Sequence, residues 1–425
     1  MRRGHSLAIY AALALAAVAS RLPFMFGTGL GTDPDAWRLY LAGSVARETG
    51  TYAASRAPGY PLLEHLAYLL VGAPWWVFAA LTTLVTAAGV IAVASLARHL
   101  GVRAWPAVAL GVAFTNVVWR GSTSYMDYNW SFALLFCSLA FLAKRRLLVA
   151  GVLLGLALAC RPATVIAAIV IVVLFAADRS WSARRIVAVV APAAVVVAAF
   201  FAVPVATYGR ALLRPAGTDA TLPQVVSQAV VGVWGPYGAV FVFAALILAL
   251  VRVAKAGRLP AEAAWMLALA ASTAVQFGAF LLLPADAGYL TPAVAMIWLL
   301  LGMALSRAQV GVLAAAVAMG ALVPAPIGTS VIQDAGVRRQ VIAQAGAEVA
   351  AIRALPAGSV VVAGDQLPRL VTMAGASAPA GSDTAGGRSR ATLTSGQVLV
   401  YELGHGLAEP EETFTLGALP ATPRE

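Results

Sequence analysis

The sequence predicts an all-α polytopic membrane protein with a small α/β unit at its carboxyl end, and three observations carry that prediction. Of the 425 residues, 61% are hydrophobic and 11% charged, far from the roughly 25% charge usual in soluble domains, and the mean hydropathy is +0.85. Apolar runs of membrane-crossing length follow one another up to residue 325, separated by short polar turns. Charge in those turns is lopsided: with the amino terminus inside, the cytoplasmic side carries 14 basic and 2 acidic residues and the outer side 8 and 7, as the enrichment of lysine and arginine in cytoplasmic loops requires. The net charge of +11 therefore belongs to a membrane topology and implies no nucleic-acid partner. Cys137 and Cys160 both lie inside apolar runs, so neither a disulfide framework nor a cysteine metal site is indicated, and His5, His65, His99 and His405 have no metal-binding spacing.

The elements follow in order. Met1-Arg2-Arg3 and the run Leu7 to Phe26 are too long for a secretory h-region and no small-residue cleavage site follows, so this is a retained first span. Residues 27–74 form the first outer loop. Within it, Pro58 to Val71 reads as a helix lying at the membrane surface, because Glu64, His65 and Tyr68 interrupt its apolar face. Runs at 75–97, 104–119, 129–143, 147–160, 163–177, 186–207, 235–251, 261–284, 289–305 and 308–325 bring the count to about eleven spans. An odd number places the polar tail of residues 326–425 outside. That tail holds 7 basic and 9 acidic residues, a helix from Ile342 to Leu355, strands at Ser359 to Ala363 and Gln397 to Glu402, a flexible linker from Gly375 to Gly387, and a frayed end from Glu409 to Glu425. The expected domains are thus a transmembrane part, 1–325, and a small outer α/β part, 326–425.

The chemistry is expected in the first outer loop. Asp33 and Asp35 are two of only nine acids in the first 325 residues and stand beside Trp37. Asp33-Pro34 is also an ordinary turn or helix start. Two carboxylates in one site push one pKa upward, which suits a general base taking a proton from a hydroxyl.

With Asp33 and Asp35 followed by Trp37 and Tyr40, and Arg56-Ala57-Pro58-Gly59-Tyr60-Pro61 some twenty residues later, the chain resembles the GT-C superfamily of membrane glycosyltransferases. The likeness is greatest to its dolichyl-phosphate-mannose-dependent mannosyltransferase-like and ArnT-like members, and it extends over the membrane part. The resemblance implies a sugar donor linked to a polyprenyl phosphate, an outward-facing acceptor, inversion at the sugar, and an acid of the first outer loop, Asp33 or Asp35, as catalytic base. It implies no cofactor, with a divalent cation on Asp33 and Asp35 as the alternative. Topology points the same way, since nucleotide sugars are cytoplasmic and an outward-facing transferase needs a donor carried across on a lipid.

A leaving lipid phosphate calls for guanidinium donors. Arg56, within the motif, comes first, then Arg161 before Pro162, then Arg120, with Arg210 and Arg214 in the loop from Thr207 to Gln228; each also suits an interfacial anchor. Substrate contacts are expected from Trp37 and Tyr60. The segment Ser122 to Trp130 contributes Tyr125, Asp127 and Asn129, which read either as an aromatic belt with Asp127 capping the next helix or as sugar recognition. Asp286 and Tyr289 come from a late outer loop, where the family often has a basic residue before Tyr-Leu and this chain has Gly288. Glu64 and His65 read as interfacial packing. The competing classes are a transporter or lipid flippase, which would concentrate polar features at the midplane, and a non-catalytic envelope-assembly subunit; Gln276 is one of few polar residues deep in a span.

Overall fold

A computed structural model describes residues 3–178, 180–213, 220–256, 262–282, 286–354, 360–362, 367–375, 388–392 and 398–402. In chain order the helices are α1 (Arg3–Ala19), α2 (Leu22–Met25), α3 (Pro34–Thr49), α4 (Pro61–Leu70), α5 (Trp75–His99), α6 (Trp105–Phe114), α7 (Asn116–Gly121), α8 (Asp127–Ala143), α9 (Leu147–Cys160), α10 (Thr164–Ala167), α11 (Ile169–Ala177), α12 (Ala183–Tyr208), α13 (Leu222–Ser227), α14 (Pro236–Ala256), α15 (Ala263–Phe280), α16 (Thr291–Ala304), α17 (Arg307–Leu322), α18 (Val331–Arg353) and α19 (Leu367–Ala374). Short 3-10 turns occupy Gly209–Leu213 and Ala287–Leu290, and a π turn Gln228–Gly232. The chain divides into two compact units: residues 1–26, 76–201 and 216–336, and residues 27–75, 202–215 and 337–425.

The first unit is the larger helical body. Among the described residues six segments are long and apolar enough to cross a membrane: Ser6–Met25, Trp75–His99, Ala183–Tyr208, Pro236–Lys255, Ala263–Phe280 and Ala287–Ala304. Five more apolar helices of 10–17 residues accompany them, at Trp105–Phe114, Asp127–Ala143, Leu147–Cys160, Thr164–Ala177 and Arg307–Leu322. This is an integral membrane protein. Small residues let its helices approach closely, the usual device where lipid supplies no hydrophobic drive between helices. Gly151 and Gly155 of α9, four apart, rest on the Val189 and Ala193 carbonyls of α12, and Gly111 of α6 lies under the buried Trp298 ring of α16. The run expected as one helix over 104–119 breaks at Thr115, which is extended (φ −63°, ψ 134°). Its hydroxyl is bound from both sides, donating to the Gly111 carbonyl (2.7 Å) and accepting from the Trp298 indole (3.0 Å). The run over 163–177 is likewise split between α10 and α11. Arg21 ties the first span to this body: it is buried, donating to Ser122, Ser20 and the Ala113 carbonyl.

The second unit contains a correction. The first outer loop, read as a polar loop with Asp33-Pro34 as a turn or helix start, is helical from Pro34 to Thr49. Asp33 is the N-cap, its Oδ1 accepting from the Asp35 amide at 2.8 Å, Pro34 sits in the first turn, and Gly50 closes the helix at φ +68°, a start and stop that sequence rules recognise. The helix buries Ala36, Trp37, Leu39, Tyr40, Ala42, Gly43 and Val45. Gly43 lies directly on α4, where a Cβ would come within 2.6 Å of Ala67, so α3 and α4 form a tight pair and α19 packs on α3. The surface helix expected over 58–71 is α4. The helix expected over 342–355 starts earlier, at Val331, and ends at Arg353. In the tail β1 (Val360–Val362), β2 (Arg388–Thr392) and β3 (Val398–Glu402) form a sheet of order β1-β3-β2, β1 parallel and β2 antiparallel to β3. Ser359, Ala363, Gln397, the linker from residue 376 and the frayed end lie outside the described residues.

Candidate active site

In the second unit, helix α3 delivers its two acids one step apart in role. Asp33 precedes the helix, and its carboxylate is half-buried over the first turn, where the positive end of the helix dipole favours negative charge. Asp35, inside the first turn, is engaged on both oxygens: Oδ1 by Arg38 Nη1 at 2.9 Å, one helical turn on, and Oδ2 by Arg56 Nε at 2.9 Å. The Arg56 guanidinium lies over the Tyr60 ring, its Cζ 3.7 Å from the centroid, while its Nε pairs with Asp35, a combination that suits arginine better than lysine. Asp35, Arg56 and Tyr60 therefore form one constellation beside Asp33. Trp37 is placed in the interior, its indole donating to the Gly31 carbonyl at 2.8 Å and its ring edge-on to Trp75.

The segment between α3 and α4 is held from a second side that sequence reading missed. Glu64, taken for a packing residue, is buried and accepts from the Ser55 amide (2.7 Å), the Ser55 hydroxyl (2.6 Å) and the Tyr52 hydroxyl. Burial raises the Glu64 carboxyl above its ordinary range, against the lowering effect of those hydrogen bonds. Burial, reinforced by the Glu64 charge, pushes the Tyr52 hydroxyl upward as well. Ser55 and Arg56 are neighbours, so this short stretch is pinned by Glu64 at one residue and by Asp35 at the next. Tyr208 accepts from the Ala54 amide at 3.1 Å and adds a third anchor.

The first unit brings together residues drawn from three distant stretches of sequence. Asp127, expected as a helix cap, is not the cap: that position is Met126, and the Asp127 carboxylate is buried and paired with Arg161. Arg161 sits against two mutually tilted rings, its Cζ 4.0 Å from the Tyr128 centroid and 4.1 Å from that of Tyr289. The Tyr128 hydroxyl donates to Asp286 Oδ2 at 2.7 Å, and Asp286 Oδ1 accepts from the Gly288 amide at 2.8 Å. A Cβ at Gly288 would fall on the Tyr128 ring, which gives a steric reason for glycine at this place. Arg161, Tyr289, Gln276, Thr164 and Ser131 line a cavity of about 20 Å³. Elsewhere Arg120 pairs with Asp334 at 3.0 Å. Tyr125 is buried edge-on to Phe78, and the buried Asn129 amide donates to Thr86 (3.1 Å) and the Val118 carbonyl (2.9 Å). Arg210 is exposed on a 3-10 turn, whereas Arg214 lies outside the described residues.

No family model and no curated protein matches the chain in sequence. Solved structures similar to it in fold include ArnT from Cupriavidus metallidurans bound to undecaprenyl phosphate, with a TM-score of 0.62, and the same protein in the apo state, with 0.60. Each is 14% identical, and the match covers 87% of this chain and 85% and 84% of theirs. The chain has an ArnT-like GT-C fold. Sequence signals for the additional residues were present but faint: Arg38 lies one helical turn from Asp35, and Tyr128 stands inside the polar aromatic segment. Nothing local marked Glu64 as buried.

Proposed function

We propose that this protein is a membrane glycosyltransferase moving a sugar from a polyprenyl-phosphate donor to an acceptor hydroxyl outside the cytoplasm. The observation that carries the reading is the pairing of a GT-C fold with two acids and a stacked arginine at the start of α3; the undecaprenyl phosphate of the similar ArnT structure supports the donor class. In this reading the acceptor oxygen attacks the anomeric carbon from the face opposite the phosphate. The bond to the phosphate oxygen breaks, the electron pair leaves with polyprenyl phosphate, and the acceptor proton passes to a carboxylate, inverting the sugar. Asp33 is the base, since both oxygens of Asp35 are committed to arginines and Asp35 acts by orienting Arg56. Arg56 meets the leaving phosphate, where a preorganised guanidinium stabilises developing charge. Tyr60, under the Arg56 guanidinium, contacts substrate, and no metal takes part.

The same proposal sets about eleven crossings, the amino terminus in the cytoplasm, the chemistry and the 326–425 tail outside, and a cytoplasmic-membrane location. The test is transfer of radiolabelled sugar from a panel of polyprenyl-phosphate sugars by membranes carrying wild type or Arg56→Gln. Transfer by wild type that drops at least about a hundredfold in Arg56→Gln, the scale of losing a transition-state donor, is expected. A wild type that consumes no donor of the panel would turn the account toward transport or scaffolding.

A further inference from the structure

Helices α3 and α4 and the segment between them line a cleft of about 210 Å³, in part through Ala42, Ala46, Tyr52, Glu64, His65 and Tyr68. We propose that this cleft binds a single hydroxylated sugar ring, and, resting on the transferase reading, that the ring is the acceptor's. Four observations lead there. The volume suits one ring and not a lipid tail or a polypeptide. The lining is mainly apolar and includes Ala42, Ala46 and two tyrosine side chains, Tyr52 and Tyr68, which suits the C–H face of a sugar.

The polar end of the cleft is made of acceptors. Glu64 is committed to Ser55, Tyr52 and the Tyr60 backbone, while the Tyr52 oxygen, whose hydroxyl donates to Glu64, offers lone pairs. His65 Nδ1 donates to the Pro61 carbonyl at 2.6 Å, so in the neutral ring Nε2 is the accepting nitrogen. Such a lining asks for a ligand that brings its own donors on an apolar frame, as a sugar's hydroxyls do. Neither lysine nor arginine is among its residues, which argues against the donor phosphate. Finally, Ser55 joins the cleft's carboxylate to the residue next to Arg56, so a ring seated there would be coupled to the Asp35–Arg56 constellation of the same unit.

The experiment is saturation-transfer NMR with a panel of methyl hexosides and pentosides, using the full chain in nanodiscs free of glycoside detergent. Wild type and Ala46→Ser should bind at least one glycoside. Ala46→Trp, which fills the cleft from its exposed side, should bind about tenfold or more weakly, and Tyr68→Ala, at an exposed position that folding tolerates, should weaken binding by about tenfold, as loss of about 1.4 kcal/mol would. Glycoside binding within twofold of wild type in both Ala46→Trp and Tyr68→Ala, or no saturation by any member of the panel, overturns the proposal. Donor hydrolysis to water, measured on the same samples without acceptor, separates the two readings. Binding without donor consumption keeps the cleft and removes the transferase, whereas consumption with unaltered binding in the filled cleft does the reverse.

Discussion

Arg161 shows what a buried charge demands of its neighbours. Asp127 neutralises it, the Tyr128 and Tyr289 rings pack against the guanidinium, and Asp286 fixes the Tyr128 hydroxyl. Removing one ion of such a pair strands the other, at a cost of about 3–5 kcal/mol, whereas replacing both by apolar residues is often close to neutral. Asp127→Ala should therefore destabilise by about that amount in a thermal or denaturant assay, and the double variant Asp127→Leu with Arg161→Met should recover most of it; equal losses in the single and double variants would contradict the pairing. Gly288→Ala, whose Cβ would meet the Tyr128 ring, should cost about 1–3 kcal/mol as overpacking does, read as a lower melting temperature. Glu64 supplies a pH signature. Its carboxyl is held above the ordinary range, so the folded chain binds that proton more tightly than the unfolded one. The stabilisation is complete below the unfolded value of about 4.3 and is lost as pH rises through the folded value. Thermal stability should fall more steeply over that window in wild type than in Glu64→Gln, and parallel profiles would exclude Glu64 as the source. None of these pairings is visible in the sequence, because each joins positions far apart in the chain and a lone acid in a linear reading carries no partner.

At the scale of elements, legibility followed hydrophobic contrast. Helix α9 occupies 147–160 as read, bounded by Arg146 and Arg161. Helix α4 falls inside the expected surface segment for the same reason. The length of helix α3 was not legible because the polar residues Arg38, Ser44, Arg47 and Glu48 dilute its apolar positions, even though Asp33-Pro34 and Gly50 mark its two ends. Early breaks such as that at Thr115 were hidden inside a run that is apolar throughout, where periodicity gives no boundary. The start of α18 was missed because Gln333, Asp334 and Gly336 look like loop residues. The close approach of α3 and α4 gives a prediction of its own. Gly43→Leu, placing a side chain where even a Cβ comes within 2.6 Å of Ala67, should push the helices apart and lower stability by more than about 2 kcal/mol. A stability unchanged from wild type would mean the helices do not meet there.

For the whole molecule, composition alone was enough for the membrane class, since 61% hydrophobic and 11% charged residues leave too little polar surface for a soluble fold of this size. Topology and chemistry needed more. The arginine bias names the inner side only through an empirical rule, and the candidate acids gained their setting from a helix cap and two guanidinium partners. Orientation is directly measurable. In a cysteine-free background, Glu48→Cys on the exposed side of α3 should react with a membrane-impermeant maleimide in intact cells, and Arg184→Cys at the start of α12 should react only after permeabilisation. The reverse pattern would invert the proposed topology and put the acids on the side where lipid-linked donors are not needed.

The most direct measurement is sugar transfer by Asp33→Asn set against its stability. Asparagine caps a helix about as well as aspartate, so the variant should melt within about 0.5 kcal/mol of wild type while losing at least about a hundredfold in transfer, the scale of general-base catalysis. That combination would separate a chemical duty from the N-cap duty seen in the structure. Transfer at the wild-type rate in a stably folded Asp33→Asn would contradict the account, leaving Asp33 as a helix cap and nothing more.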